Sequence, residues 1–210
     1  MKEDLSRYWG QLGRGAIGWV HPEDEGLLGS APHSFNLDFP PPAFVGDVCN
    51  APVIILVANG GYDAKITPDE FKAAGSEQRY VKRLRHPEKA AWSEVAPYYR
   101  GVNYADLVFS GKAVAVNACA YRSPRISNEP ENKELVPRLP SALYHRHWLV
   151  STVLPLLNAG TRFVVGKRHG FWGLPASITE HSGFIADPAP VSPHLSGVVR
   201  KRIDDVLARV

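Results

Sequence analysis

The stretch "APVIILVANGGYD", residues 51–63, sets the terms for reading the rest of the chain. Val53 to Ala58 are continuously apolar, without the alternation of a half-solvated strand. Such a run suits a strand covered on both faces, as in a parallel sheet. It then meets Asn59-Gly60-Gly61, followed by Tyr62 and Asp63. Asn and Gly in succession predict a tight turn at the carboxyl end of the strand. In open α/β sheets, that end is where ligands gather.

Three further apolar runs repeat the pattern, at 112–116, 162–165 and 183–186. Helical periodicities lie around them. "PSALYHRHWLVSTVLPLLNAG" opens on Pro140, suited to a first turn, and closes at Gly160. It places Leu143, Val150, Val153, Leu154 and Leu157 on one face, with Pro155 as a kink. "SGVVRKRIDDVLARV" spaces Val199, Ile203, Val206, Leu207 and Val210 helically behind a Ser196 N-cap. Strands alternating with helices predict an α/β fold: a three-layer α/β/α sandwich with a four-stranded, mainly parallel central sheet. Residues 1–210 read as one domain, with 1–45 an N-terminal extension packed on it. Segments 29–47, 122–139 and 187–195 read as irregular connections, long enough to be functional.

The 210 residues are 44% hydrophobic and 21% charged, which supports a buried core and argues against disorder. A net charge of +3 allows DNA as a partner at modest affinity. Cys49 and Cys119 are too few for a four-thiolate zinc or iron–sulfur site, so neither a metal nor another cofactor is expected. The first ten residues are charged and lack an apolar signal core. No apolar run is long enough to span a bilayer. The expectation is a soluble, cytoplasmic protein with no membrane partner.

Taken in order, the strand ends resemble the motifs of the uracil-DNA glycosylase superfamily. "VIILVANGGYD" is similar to its first motif, a strand ending on a water-positioning Asp or Asn. "AVAVNACAYRSP" resembles the strand whose Asn reads the pyrimidine edge. "RFVVGKRHGFWG" and "GFIADPAPVSPHLSG" resemble its last two strands and the loop that carries a histidine. The likeness runs from about residue 43 to 210. It implies that Asn59 holds the attacking water, with Asp63 an alternative acid for that task. His194 would hydrogen-bond the departing base. Gly60 and Gly61 would let backbone approach the base, Tyr62 would close the pocket floor and Asn117 would read the base edge. Leu195 would wedge into the vacated stack. Ser123, Ser192 and Pro193 would grip phosphates, as would Arg168. Other basic candidates for phosphate contact are Arg79, Lys82, Arg83, Arg85, Arg122, Arg125, Lys167 and Arg200 to Arg202.

The chain departs from that pattern in two places. The first turn has Gly60 where the Asn branches carry proline. In the last loop the usual histidine position falls near Pro190, and His194 enters one step late. These departures imply weak or absent excision of uracil. The alternative reading is a non-catalytic nucleotide- or protein-binding module on the same fold. An unrelated α/β hydrolase is a third reading, and no GxSxG nucleophile elbow supports it. Arg168-His169-Gly170 is similar to the nucleophile loop of histidine phosphatases, but there the motif follows the first strand and precedes a long chain.

Overall fold

The computed structural model describes residues 4–94, 97–189 and 192–209. Pro190 and Val210, named above, lie outside the described residues. Strands β1 (Gly13–Gly15) and β2 (Gly18–Val20) form an antiparallel hairpin. Strands β3 (Phe44–Val45), β4 (Val53–Gly61), β5 (Ala113–Ser123), β6 (Phe163–Gly166) and β7 (Phe184–Ala186) form one sheet, in the order β3-β5-β4-β6-β7. The pairs β5–β4, β4–β6 and β6–β7 are parallel, and β3 runs antiparallel to β5. The architecture is therefore mixed α/β with a five-stranded, mostly parallel sheet, one strand more than the expected four. The added edge strand is two residues long and follows three prolines, so it leaves no periodicity in the sequence. Helices fall between the parallel strands along the chain, as a parallel sheet requires.

Ile54, Ile55, Leu56, Val114, Ala115, Val116, Val164 and Val165 are at most 1% exposed. Burial of each larger side chain here contributes about 1.5–3 kcal/mol. Leu5, Trp9, Trp19 and Val20 belong to the same contiguous core. The segment from Leu5 to Val20 is thus tied into the body of the molecule.

The first strand does not stop at Ala58. β4 continues through Asn59-Gly60-Gly61, paired throughout with β5. Asn59 pairs with Cys119, and the next pair is Gly60 with Arg122. Two extra residues, Ala120 and Tyr121, are accommodated in β5 as a bulge. An insertion of two keeps the faces of the two strands in phase. β5 likewise continues past Asn117 to Ser123, so Asn117 lies mid-strand rather than at a terminus. The polar segment 122–139 is also more ordered than expected. It holds the end of β5, a 3-10 turn, the helix Pro130–Leu135 and a second 3-10 turn.

The long helix is interrupted. Pro140–Trp148 and Leu154–Asn158 are α-helical, and Leu149–Val153 between them is a π turn. Pro155 has no N–H to give to Ser151, and the wider turn absorbs that defect. It also rotates the buried face. His145, Trp148, Leu149, Val153 and Leu157 point inward, whereas Leu143 is 49% and Val150 42% exposed. Gly160 ends the helix at φ +68° and Ser196 caps the last one, both as the sequence indicates.

Gly60 and Gly61 differ sharply in tolerance. A Cβ on Gly60 would lie 2.6 Å from the Ala120 carbonyl oxygen and 2.6 Å from Pro42 Cδ, whereas one on Gly61 meets nothing within 4 Å. Gly60→Ala is expected to destabilise the fold by about 1–3 kcal/mol and Gly61→Ala by less than about 0.5 kcal/mol. Chemical denaturation of the two variants checks this, and equal midpoints would refute the bulge packing.

Candidate functional site

A cleft of about 590 Å³ opens at the carboxyl ends of β4, β5 and β6. The end of β4 shows how the sequence builds its wall. From Leu56 onward the burial alternates: Val57, Asn59 and Gly61 are half-buried, while Ala58 and Gly60 are buried. Val57, Asn59 and Gly61 are the residues of one strand face and all three line the cleft. Asn117 pairs laterally with Val57 and lines it too. The remaining wall comes from Ala58 between Val57 and Asn59, from Tyr98 and Tyr104, from segment 124–128, from Lys167 and Arg168, and from Ser192 and Pro193.

Two asparagines are held in fixed orientation. Asn59 Nδ2 donates to the carbonyl oxygens of Gly60 (2.9 Å) and Ser123 (3.1 Å) and to Ser123 Oγ (2.9 Å). Two carbonyl acceptors identify the nitrogen end of the amide, so Oδ1 is turned away from them. Asn117 is wholly buried, and its Nδ2 donates to the Pro42 carbonyl (2.5 Å) and to Tyr99 Oη (3.0 Å). Its Oδ1 is buried with no hydrogen-bond partner. An unmatched buried acceptor costs about 1–3 kcal/mol; Trp19 Nε1, Asn36 Oδ1 and Arg162 Nη1 are buried without a partner as well, but of the four residues only Asn117 lines this cleft.

Asn117 is also supported from behind. Its carbonyl accepts from His145 Nδ1 (2.8 Å), while His145 Nε2 accepts from Trp9 Nε1 (2.6 Å). The two contacts define a neutral ring with its proton on Nδ1, and burial pushes its pKa down to about 4. The N-terminal helix Leu5–Trp9 thereby braces the strand that carries Asn117. This relay, like Tyr98 and Tyr104, was not visible in the sequence. Residues 92–104 have no periodicity that would mark an aromatic wall.

The last loop is organised by a buried ion pair. Lys167 Nζ lies 2.9 Å from Asp187 Oδ2 and also donates to the Ala189 carbonyl. Asp187 accepts from the amides of Ala189 (2.9 Å) and Ser196 (3.3 Å). Burial raises the Asp187 pKa, but the Ala189 amide, Lys167 and Ser196 outweigh it and hold the carboxyl below its ordinary value. Asn103 clasps the loop from the other side, exchanging hydrogen bonds with Leu195 N (2.8 Å) and Leu195 O (2.9 Å).

The cleft gathers Asn59, Gly61, Asn117, Arg125, Lys167, Arg168, Ser192 and Pro193 of the residues singled out by sequence. The others stand elsewhere. Gly60 is buried against Pro42 and serves the bulge. Tyr62 is half-buried and outside the cleft lining. Asp63 is exposed, and its Oδ1 accepts from the amides of Lys65 (2.8 Å) and Ile66 (2.9 Å), which start the helix Ile66–Glu70. Those bonds, Ile66 first, hold its carboxyl below the ordinary range. Ser123 is wholly buried as the anchor of Asn59, not open to a phosphate. His194 is exposed, and its Nδ1 accepts from the Asn103 amide (3.2 Å) rather than facing the cleft. Leu195 is 4% exposed, packed in the core and unable to act as a surface wedge.

Several basic candidates are also engaged. Arg122 is buried against Glu70 (3.3 Å) and stacks over Phe71. Arg83 pairs with Glu94 (2.6 Å), and Arg200 with Asp106 (2.7 Å). Arg125 is exposed at the cleft rim. Among the described residues, neither an Asp, a Glu nor a His lines the cleft. No group of three or more His, Cys, Asp or Glu could hold a metal ion among the described residues, and no helix there is long and apolar enough to cross a membrane. Comparison with protein-family models, curated proteins and solved structures gives no match.

A protonated His145 would have no acceptor for the Trp9 N–H. Because its folded pKa lies below the ordinary 6.5, the unfolded chain binds the extra proton first, and the stability is present above pH 6.5. It is expected to fall by about 3 kcal/mol as the pH drops from about 6.5 to 4. His21, lowered mainly by burial, acts in the same direction. Denaturation midpoints across this range check the slope, which His145→Gln should flatten.

Proposed function

We propose that the chain is a divergent uracil-DNA glycosylase-like protein that takes a deaminated base into this cleft and hydrolyses its N-glycosidic bond slowly. The observation that carries the reading is the Asn117 Oδ1 atom, a buried acceptor without a partner on a residue that lines a cleft roomy enough for a nucleotide. It suits a base-edge N–H, such as N3–H of uracil or N1–H of hypoxanthine. Tyr98 and Tyr104 add aromatic wall, and Arg125 and Arg168 add positive charge for phosphate or for a departing anionic base. The reading entails the three-layer α/β/α arrangement of that superfamily and a cytoplasmic setting, where free Cys49 and Cys119 stay reduced.

Asn59 would hold the water through the Oδ1 turned away from Ser123. It can orient a water but cannot take its proton. A missing general base forfeits a factor of about 10²–10⁴ in rate. His194, directed at Asn103, adds nothing to the leaving group in this arrangement. These same facts favour a second reading, a non-catalytic module that binds a nucleobase or nucleotide.

The expected outcome is weak or no excision of uracil, hypoxanthine or xanthine from single- or double-stranded oligonucleotides. Binding of the free nucleosides should be measurable and weakened roughly ten- to hundredfold by Asn117→Ala. Glycosylase assays alongside calorimetric titration check both. Rapid uracil excision, abolished in Asn59→Ala and His194→Ala, would show that the altered motifs still make an efficient enzyme. Absence of nucleoside binding would remove the nucleobase reading.

A further inference from the structure

A second groove, of about 500 Å³, adjoins the cleft and shares Arg168 with it. Lys133 and Arg146 add two more cations to its lining, and Phe171 supplies a half-buried ring. Among the described residues, no Asp or Glu lines either space. Arg146 is half-buried, and its hydrogen bond is a long one, Nη2 to the Phe171 carbonyl at 3.4 Å. Burial holds its guanidinium below the ordinary value, and no ion pair is found for it among the described residues. An anion brought to this groove would relieve that charge. Gly170, also on the lining, would project any added Cβ into open space, with nothing within 4 Å. Cations, an aromatic face and bare backbone together form the surface on which single-stranded nucleic acid lies, phosphates on the cations and a base on the ring.

Leu195 bears on the form of the polymer. It is packed in the core and cannot enter a stack to expel a base from a duplex. With Leu195 withdrawn from that task, a base that is already unstacked enters the cleft at the least cost. We infer that the groove lined by Lys133, Arg146, Arg168, Gly170 and Phe171 seats the nucleotide next to the base held in the cleft, and that the polymer is single-stranded DNA. This rests on the nucleobase reading of the cleft.

The test uses fluorescence anisotropy with a labelled single-stranded oligodeoxynucleotide carrying one uracil, the same oligonucleotide as a duplex, and deoxyuridine alone by calorimetry. The single strand should bind roughly tenfold or more tightly than either. Gly170→Leu and Arg146→Gln should each weaken the single strand roughly tenfold and leave deoxyuridine binding unchanged. Arg146→Gln should also reduce the salt dependence by about one counterion. Thermal melts confirm that the variants fold. Equal affinity for duplex and single strand, or single-strand binding indifferent to both variants, overturns the inference. Gly61→Leu separates the two sites, because it fills the cleft alone. Oligonucleotide binding lost in Gly61→Leu but intact in Gly170→Leu and Arg146→Gln would keep the cleft and discard the groove. A wild type that ignores deoxyuridine, yet binds the single strand in a manner sensitive to Gly170→Leu, would keep the groove and discard the base reading of the cleft.

Discussion

The parallel pairing of β4 with β5 beyond the buried sheet is the constraint on which the site depends. Both strands could end where their apolar runs end. Instead they remain paired through Gly61 and Ser123, across a two-residue bulge. The even insertion keeps Asn59, Gly61, Asn117 and Ser123 on one face. The Asn59 side chain then meets Ser123 and closes the ladder from the side. Gly60 makes this possible, since only a residue without a Cβ fits between Ala120 and Pro42. The glycine pair thus has divided duties: Gly60 serves packing, and Gly61 leaves room in the cleft.

Around that frame the buried polar groups are matched with few exceptions. Arg122 has Glu70 and two carbonyl oxygens, Lys167 has Asp187 and a carbonyl, and His145 has a donor and an acceptor on its two nitrogens. Among the described residues four buried side-chain atoms lack a partner, Trp19 Nε1, Asn36 Oδ1, Arg162 Nη1 and Asn117 Oδ1, and only the last belongs to a residue of the cleft. Buried polar atoms without partners are disfavoured, and natural proteins retain them chiefly where function uses them. The neighbouring strand β3 sharpens the point. Its approach, through Pro42 and Ala43, occupies the Asn117 side-chain nitrogen and main-chain amide, so the only group left unmatched is the side-chain oxygen.

Much of the fold was legible because burial on both faces forces continuous apolar runs. Residues 53–58, 112–116, 162–165 and 183–186 all fall largely within strands, and the caps at Pro140, Gly160 and Ser196 stand where chain chemistry puts them. The limits of those strands were not legible. Asn59-Gly60-Gly61 has the composition of a turn, but pairing with β5 overrides that local preference. Phe44–Val45 carries too few residues to show a period. On the long helix Val153 and Leu157 face inward as their spacing indicates, but Leu143 and Val150 do not, because a π turn before Pro155 shifts the face.

For the site, sequence determined the residue types and their order: Asn and Gly at the end of the first strand, Asn in the second, Arg after the third, Ser-Pro in the last loop. Those choices are local, written in side-chain chemistry. Tertiary structure alone decided which of them meet. It turned Asp63 to a helix start, Ser123 to Asn59, His194 to Asn103 and Leu195 into the core, because each has a nearer partner than the cleft. It also brought Trp9 and His145, 136 residues apart, behind Asn117. Hydrogen bonds of that span follow from how the chain packs, and no spacing along the sequence records them.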